Sequence, residues 1–322
     1  MKKVILIALM LLLFPFISKS QSGNDNTKQK IDTTEVAEIN GIKQFISIKG
    51  NNSAQPILLL LHGGPGTSLA ESAESFTDKL KDEFIVINWD QRQTGETAKL
   101  NAGNQPLSVD LMISDAEQII QYILHQYNRQ KLYLVSHSWG SVLGFDIARN
   151  HPELLYAYVG ISPIVDEGKA EVLTLHMLKD WAKNTGDSTA LNEINQINLP
   201  LETTKDLFTF QKWLFIKNDV EFARKDDFKT NYYNWMNIWF RLWKESVRVS
   251  MFDHSKTYDC PVYFIEGNAD KYESHNLVKD YYDYFKAPQK DLYWMKKSGH
   301  TVFNTEPDKL QETIIKIKKK TM

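Results

Sequence analysis

The feature that most constrains the fold is an alternation of short apolar runs with longer amphipathic segments. The apolar runs are too short for ordinary helices and are typical of strands buried on both faces. They cover residues 57–61, 84–88, 132–136, 156–161, 262–265 and 292–295. Helical patterns lie between and after them, over residues 68–80, 109–127, 141–150, 274–285 and 308–320. This order predicts an α/β fold with a mostly parallel central sheet and helices on both faces.

A tight turn precedes the first buried strand. Asn40-Gly41 separates two alternating runs between residues 36 and 48, and this pair readily supplies two residues with positive φ. We therefore predict a β-hairpin here. Residues 22–34 are polar and predict a flexible lead-in.

The alternation stops between residues 165 and 256, where helical periodicity continues without a convincing strand. Five of the eight tryptophans fall in this stretch, and Trp235, Trp239 and Trp243 share one helix face. We interpret the stretch as an inserted helical cap, with most tryptophans in its own core and one or two lining a pocket. The predicted organisation is a signal peptide over 1–20, a core over 21–164, the cap over 165–256 and a second core part over 257–322.

The first twenty residues have the pattern of a secretory signal peptide. Lys2 and Lys3 precede an apolar run that ends near Ile17 and is followed by small residues. The alternative is an uncleaved anchor, but the run is shorter than the roughly 18–20 residues that span a bilayer, and it contains Pro15. We expect a protein exported to the periplasm or secreted, without a stable membrane anchor.

Charge and cysteine content exclude several classes of partner and site. Lys plus Arg is 38 and Asp plus Glu is 40, a formal charge of -2 that gives no general attraction to nucleic acid. The single cysteine, Cys260, excludes an intramolecular disulfide and any multi-cysteine metal site. Function must therefore be found in local chemistry.

The segment Ser136-His137-Ser138-Trp139-Gly140 lies between a predicted strand and a predicted helix. A nucleophile on such a tight turn needs small residues two positions before and after it, as Ser136 and Gly140 are. The turn would raise the Ser138 hydroxyl above the sheet and leave the Trp139 N–H at a helix N-terminus. We expect His137 to point away, on the opposite side of the turn.

A serine nucleophile needs a base, and the base needs a carboxylate that orients it. Asp270 follows the strand over 262–265, and His300 follows the strand over 292–295. Both would lie at the carboxyl ends of parallel strands, where ligands bind in open α/β sheets. We predict Asp270 as the acid and His300 as the base, with Asp166 as an alternative acid.

A glycine-rich segment, His62-Gly63-Gly64-Pro65-Gly66, directly follows the strand over 57–61. Its glycines would let backbone N–H groups approach a substrate closely and join the Trp139 N–H in an oxyanion hole. The alternative is a turn that is merely flexible.

Taken together, these motifs and Asp90-Gln91-Arg92 after the next strand resemble the α/β-hydrolase superfamily, in its proline iminopeptidase-like branch. The resemblance spans about residues 36–310. It implies Ser138 as nucleophile, His300 as base and Asp270 as acid, with an oxyanion hole formed by the N–H groups of Trp139, Gly64 and Gly63. It also implies release of N-terminal residues, often proline, from small peptides without a metal or organic cofactor.

Two departures from that family and one open question remain in the sequence. Ser136 stands where glycine is usual, and Gln93 replaces the glycine that normally follows Asp-Gln-Arg. An aminopeptidase must also hold a protonated amine with carboxylates, and each available glutamate is, by itself, most simply a solvated surface charge. The available residues are Glu167, Glu171, Glu202, Glu221 and Glu245.

We therefore predict an exported serine hydrolase, with a proline iminopeptidase-like aminopeptidase as the first hypothesis. The alternatives are an esterase, lactonase or amidase of small acyl substrates, and a non-catalytic ligand-binding protein on the same scaffold. Epoxide hydrolases, which use an aspartate nucleophile, are disfavoured because position 138 is serine.

Overall fold

The computed structural model describes residues 29–70, 72–103, 107–246, 248–270 and 275–322. The predicted signal peptide lies outside these residues. In the part of the chain so described, no helix has the length and apolar character needed to cross a bilayer.

Eight strands of the described chain form one sheet, in the order β1-β2-β4-β3-β5-β6-β7-β8. Their bounds are β1 Ile31–Ile39, β2 Ile42–Gly50, β3 Ile57–Leu61, β4 Ile85–Asp90, β5 Leu132–His137, β6 Leu155–Ile161, β7 Val262–Gly267 and β8 Lys290–Met295. β2 pairs antiparallel with β1 and β4, and all the other pairs are parallel. The mostly parallel sheet expected from the sequence is confirmed.

The sheet begins with the expected hairpin, and its turn residues Asn40 and Gly41 have φ values of 49° and 74°. The predicted flexible lead-in is wrong for residues 31–34, because Ile31 to Thr34 pair with Gly50 to Ser47 of β2. β1 is the edge of the sheet, and backbone pairing on one side is enough to order a strand whose side chains are largely polar.

Twelve α-helices are present among the described residues, together with 3-10 helices at Lys79–Asp82, Pro152–Leu154 and Glu221–Arg224. The first six α-helices are α1 Ala73–Thr77, α2 Gly95–Leu100, α3 Val109–Gln126, α4 Gly140–Asn150, α5 Glu167–Thr185 and α6 Ser188–Asn195. The others are α7 Thr204–Lys217, α8 Phe228–Ser246, α9 Met251–His254, α10 His275–Tyr284, α11 Val302–Thr305 and α12 Pro307–Thr321.

The helices predicted near α3, α4, α10 and α12 are confirmed, and the Ser108 side chain caps α3 by accepting from the Leu111 N–H at 3.2 Å. The helix predicted over 68–80 is confirmed only for α1, which is followed by a 3-10 turn. The Ser68 hydroxyl instead bonds to Asp90 and to the Ala70 N–H, which holds the chain in a loop. α2 was not predicted.

Two apolar cores cover the two faces of the sheet. One contains side chains of α3, α4 and α10, and the other contains side chains of α1, α11 and α12. Along β3, alternate residues belong to opposite cores: Leu59 and Leu61 to the first, and Leu58 and Leu60 to the second. Because both faces are covered, every residue of β3 is apolar, as the sequence pattern indicated.

Helices α5 to α9, residues 167–254, lie in the chain between β6 and β7, and we call this segment the cap. The cap has an apolar core of its own that includes Trp213 and Trp243. Trp239 belongs instead to the core that covers the sheet, and Trp235 packs against both. The face of α8 that carries Trp235 and Trp239 therefore joins the cap to the rest of the molecule.

Candidate active site

Ser138 lies on the turn between β5 and α4 and has a φ of 50°, in the left-handed region. Gly140 and Ser136, two positions after and before it, are small residues for different structural reasons. A Cβ on Gly140 would lie 2.5 Å from the Leu61 carbonyl oxygen, so no other residue fits there. Ser136 is buried, and its hydroxyl is 2.8 Å from the Tyr158 hydroxyl, so the serine that replaces the usual glycine has a hydrogen-bond partner.

The structure brings Ser138, His300 and Asp270 together. His300 Nε2 is 2.8 Å from Ser138 Oγ, and His300 Nδ1 is 2.8 Å from Asp270 Oδ2. A carboxylate only accepts hydrogen bonds, so Nδ1 carries the proton and Nε2 faces the serine hydroxyl as an acceptor. This tautomer is the one that a general base beside a serine requires.

Asp166, the alternative acid, has other partners. It caps α5 by accepting from the Lys169 N–H at 3.0 Å, and its second oxygen accepts from the Ser250 hydroxyl at 2.8 Å. Lys169 Nζ also lies 3.0 Å from that oxygen. Asp166 therefore holds the start of the cap, and the carboxylate in contact with His300 Nδ1 is that of Asp270.

The glycine loop, residues 62–66, lies against the turn that carries Ser138. A Cβ on Gly63 would be 2.7 Å from the His137 carbonyl oxygen, 2.9 Å from Ser138 Cβ and 3.3 Å from the Trp139 nitrogen. Gly64 and Gly66 have φ values of 114° and 82°. The loop can reach the nucleophile this closely only because these positions are glycine.

The segment Asp90-Gln91-Arg92 holds the start of the glycine loop through hydrogen bonds. The Gln91 N–H donates to His62 Nε2 at 3.1 Å, and the Gln91 side-chain amide donates to the His62 carbonyl at 2.9 Å. Burial lowers the pKa of His62 to about 4, which keeps the ring neutral, so Nδ1–H donates to the Gly63 carbonyl at 3.1 Å. The Asp90 carboxylate accepts from the Ser68 hydroxyl just beyond the loop.

Arg92, the last residue of this segment, anchors it in the protein interior. Arg92 and Asp115 are both buried and form a two-bond ion pair, with N···O distances of 2.8 and 3.0 Å. Gln93 has a φ of 62°, which explains why glycine is usual at this position. The glutamine shows that this chain tolerates a left-handed residue there.

Two cap glutamates differ sharply from solvated surface charges. Glu167 and Glu171 lie one turn apart on the same face of α5, and only 2% of Glu171 is exposed. Glu167 Oε2 and Glu171 Oε1 are both buried without a hydrogen-bond partner among the described residues. The surface-charge expectation is therefore wrong for this pair, because the face of α5 that carries it is covered by the rest of the protein.

The other three glutamates do not share this environment. Glu202 is partly exposed and forms an ion pair with Lys244 at 2.8 Å. Glu221 is exposed, and Glu245 is half-buried.

The charges of the site act on this pair. Burial raises the pKa of Glu167 to about 7; the His300 ring opposes that rise, and the Asp166 and Asp270 carboxylates add to it. Burial likewise raises the pKa of Glu171 to about 8, with a further contribution from the charge of Glu167. Glu167 therefore lies within electrostatic reach of the Ser–His–Asp arrangement, and the pair carries a proton near neutral pH.

Glu266, at the end of β7, is a residue that the sequence analysis did not single out. It is fully buried, and burial together with the adjacent Asp270 carboxylate raises its pKa well above its usual range. A neutral carboxyl therefore lies beside the Asp270 carboxylate. The only sequence signal was an ionisable residue at the end of an otherwise apolar strand.

The expectation that His137 points away from the site is wrong. His137 Nε2 is 3.1 Å from the His300 carbonyl oxygen, and the two imidazole rings are 5.1 Å apart. His137 is still part of β5, so its side chain continues the alternation of Tyr133 and Val135. That face of the sheet carries Phe303, whose ring contacts His137 edge-on at 4.9 Å.

Two tryptophans of α8 contact the glycine loop. The Trp235 indole N–H donates to the Pro65 carbonyl at 2.8 Å. The Trp239 ring packs directly against Gly66, so that any Cβ on Gly66 would overlap the indole. The cap is thus attached to the loop beside the nucleophile.

No cluster of His, Cys, Asp and Glu among the described residues has an arrangement that could hold a metal ion.

Comparisons with known proteins identify the family of this chain. Residues 52–308 match the family described as "Serine aminopeptidase, S33". The chain is 26% identical over 306 residues to the probable aminopeptidase YbaC of Bacillus subtilis, covering 89% of this chain and 96% of that protein. It is also 28% identical over 116 residues to a proline iminopeptidase of Lactobacillus helveticus, covering 35% of this chain and 37% of that one.

Among solved structures, the proline iminopeptidase of Mycobacterium smegmatis superposes with a TM-score of 0.62 over 90% of this chain and 98% of its own. At 15% identity, this likeness shows the fold alone. The match over residues 52–308 shows the family. The chain belongs to the serine aminopeptidase S33 family, and its fold is that of the α/β-hydrolases.

Proposed function

We propose that this protein is a serine aminopeptidase that releases unblocked N-terminal residues, proline among them, from short peptides. The observation that carries the proposal is the pair of cap glutamates, Glu167 and Glu171, each with one buried carboxyl oxygen that has no hydrogen-bond partner among the described residues. The charge of His300 acts on the first of them, Glu167. Family membership supports the hydrolytic chemistry.

Acylation begins with the Ser138 hydroxyl, whose proton passes to His300 Nε2 across the 2.8 Å contact as Oγ attacks the scissile carbonyl carbon. The negative charge that develops on the carbonyl oxygen is stabilised by the Trp139 and Gly64 N–H groups, with Gly63 beside them. Asp270 holds the imidazole in place and stabilises its positive charge.

The C–N bond then breaks, and His300 gives its proton to the departing amine. This leaves an ester between Ser138 and the released N-terminal residue. A water molecule, deprotonated by His300, attacks that ester, and the proton returns to Ser138 as the amino acid leaves.

The carboxyl pair gives the site its preference for a free amine. A buried carboxylate oxygen without a hydrogen-bond partner is costly, and a substrate ammonium supplies both the missing hydrogen bond and the opposite charge. Because Glu167 interacts electrostatically with His300 and Asp270, an ammonium held there lies near the catalytic residues. An ester without an amine leaves the pair unsatisfied.

A substrate panel with a cap variant tests this assignment. For Glu167→Gln we expect KM for aminoacyl arylamides to rise about 10- to 100-fold, since a hydrogen bond to a charged group is worth about 1.5–3 kcal/mol. N-acetylated arylamides and short aryl esters should be unaffected by the change. Glu202→Gln, a surface glutamate of the same cap, is the matched control and should keep the parent KM.

The pH dependence of KM provides a second readout. Glu167 binds an ammonium only when ionised, so KM for aminoacyl arylamides should rise as pH falls through about 7. Glu167→Gln should remove that rise. Equal turnover of acetylated and free-amine substrates by the parent enzyme would contradict the aminopeptidase assignment and favour an esterase or amidase.

Covalent labelling tests the nucleophile separately. A fluorophosphonate should label the parent protein and not Ser138→Ala, and Asp270→Asn should lower kcat by about 10⁴. A folded parent protein that stays unlabelled would instead indicate a ligand-binding protein on this scaffold.

A further inference from the structure

His137 takes no part in the proton transfers described above, yet it adjoins Ser138 in the chain and contacts His300. It is the last residue of β5, directly before Ser138, and only 9% of it is exposed. Its ring is held between the imidazole of His300 at 5.1 Å and the ring of Phe303 at 4.9 Å.

The hydrogen bond from His137 has only one possible direction. The partner of Nε2 is the carbonyl oxygen of His300, 3.1 Å away, and a carbonyl can only accept. Nε2 therefore carries the proton and donates it. The strand that presents the nucleophile is in this way bonded to the backbone of the base, although Ser138 and His300 are 162 positions apart.

The loop that carries His300 is also held by hydrogen bonds of the residues that precede His300. Glu306 accepts from the Lys297 N–H and from the Ser298 hydroxyl, both at 2.8 Å, and the Ala269 N–H donates to the Ser298 carbonyl at 3.0 Å. These bonds fix the loop as far as Ser298. Beyond it, the bond from His137 restrains the backbone of His300 itself.

The charge state of His137 suits a permanent restraint. Burial, together with the neighbouring His300, lowers its pKa to about 3. The charges of His300 and His62 lower its pKa further, while the hydrogen bond to the His300 carbonyl and the Asp270 carboxylate oppose this without outweighing the burial. His137 therefore stays neutral while His300 gains a proton during turnover, and the two rings do not repel each other.

We propose that His137 is a positioning residue that holds the His300 backbone at a fixed distance from Ser138 through its Nε2–H donor. The role rests on the proposed function, because it presumes that His300 is the base for Ser138. It predicts an effect on the rate of attack by Ser138 and none on the binding of the substrate amine by the cap.

Two substitutions separate the donor from the volume of the side chain. In His137→Gln, the side-chain amide places an N–H near the position of Nε2, whereas His137→Met has similar volume and no donor. For His137→Met we expect kcat to fall about 10- to 100-fold with KM within twofold, since a misplacement of about 1 Å can cost 10²-fold in rate. His137→Gln should recover most of that loss.

The second-order rate of fluorophosphonate labelling should follow the same order as kcat, and melting temperatures show whether each variant is folded. Equal labelling rates in folded His137→Gln and His137→Met would overturn the proposal. So would a rise in KM that accounts for the whole loss of kcat/KM. If His137→Met does not fold, His137→Gln and His137→Asn replace it, because the shorter amide of asparagine cannot reach the His300 carbonyl and should label more slowly.

A failure of the proposed function would look different from a failure of this role. A parent protein that is folded but unlabelled refutes the serine mechanism, and the positioning role with it. A parent protein that labels but does not cleave aminoacyl arylamides refutes only the aminopeptidase assignment, and the comparison of labelling rates still decides the role of His137.

Discussion

At the scale of single residues, the backbone of Ser138 shows a conflict between stability and chemistry. Its φ of 50° is a conformation in which the Cβ of an L-residue clashes with the following carbonyl, while glycine is unaffected. Functional sites commonly hold such strained residues. The left-handed conformation of Ser138 directs its hydroxyl away from the sheet and toward His300.

Replacing the nucleophile with glycine should therefore stabilise the protein. We expect Ser138→Gly to raise the free energy of unfolding by roughly 0.5–1 kcal/mol, the left-handed penalty less the entropy cost of a new glycine. Ser138→Ala retains the Cβ and is the control, with near-parent stability. Both variants should be inactive. Denaturant unfolding of the three proteins checks this, and a Ser138→Gly no more stable than Ser138→Ala would show that φ at this position is not strained.

Glu171 is a second residue that we expect to lower stability for the sake of function, and its effect on the free energy of unfolding depends on pH. Its folded-state pKa of about 8 lies above the unfolded value, so deprotonation costs stability as pH rises from the unfolded pKa through about 8. Glu171→Gln should be more stable than the parent by roughly 1–3 kcal/mol at pH 8. At pH 5, where the parent carboxyl is protonated, the difference should nearly vanish. Melting temperatures across this range test it, and a constant difference would mean that Glu171 does not titrate there.

At the scale of secondary-structure elements, helix α8 and the glycine loop behave as one unit. Trp235 is hydrogen-bonded to Pro65, and the Trp239 ring packs against Gly66. The loop is therefore held on one side by the cap and on the other by the Gln91–His62 bonds. Displacing α8 should displace the N–H groups proposed for the oxyanion hole.

Two glycines with the same backbone conformation allow this coupling to be tested. Gly66 and Gly103 both have φ values of 82°, but a Cβ on Gly66 would overlap Trp239, and one on Gly103 has nothing within 4 Å. Alanine at either position should cost about 1–2 kcal/mol of stability from the left-handed backbone. Only Gly66→Ala should also lower kcat, by about 10²-fold or more, because loss of an oxyanion donor costs that much. Equal kcat values in the two variants would show that α8 does not position the loop.

The elements themselves were predictable to different degrees. The buried strands and the helices α3, α4 and α12 follow their apolar periodicity and were located within a few residues. β1 was missed from Ile31 to Thr34 because its order comes from pairing with β2 and not from its own side chains. The helix expected over 68–80 is shorter than predicted and forms as α1, because the Ser68 hydroxyl donates a hydrogen bond to Asp90 of the next strand.

At the scale of the whole molecule, the first twenty residues predict that the protein is exported. The pattern of residues 1–20 predicts cleavage near residue 20, which removes three lysines and no acidic residue and takes the formal charge from -2 to -5. We expect the full-length chain expressed in a bacterial host to be recovered outside the cytoplasm with an N-terminus near residue 21. Fractionation with N-terminal sequencing tests this, and an intact N-terminus in the membrane fraction would support the anchor alternative.

The sequence alone was enough to indicate the family, the serine turn and the order of nucleophile, acid and base, because each depends on neighbours in the chain. A tight turn needs small residues beside it, and a strand end brings the next residues to the edge of the sheet. The role of a side chain that depends on its surroundings could not be obtained in this way.

Only the tertiary structure selected Glu167 and Glu171 from five glutamates, turned His137 toward His300 and placed Trp235 and Trp239 on the glycine loop. The physical reason is that burial, desolvation and electrostatic interaction are set by residues tens to hundreds of positions away. Whether a glutamate is a solvated charge or a candidate amine-binding group is decided by what packs around it.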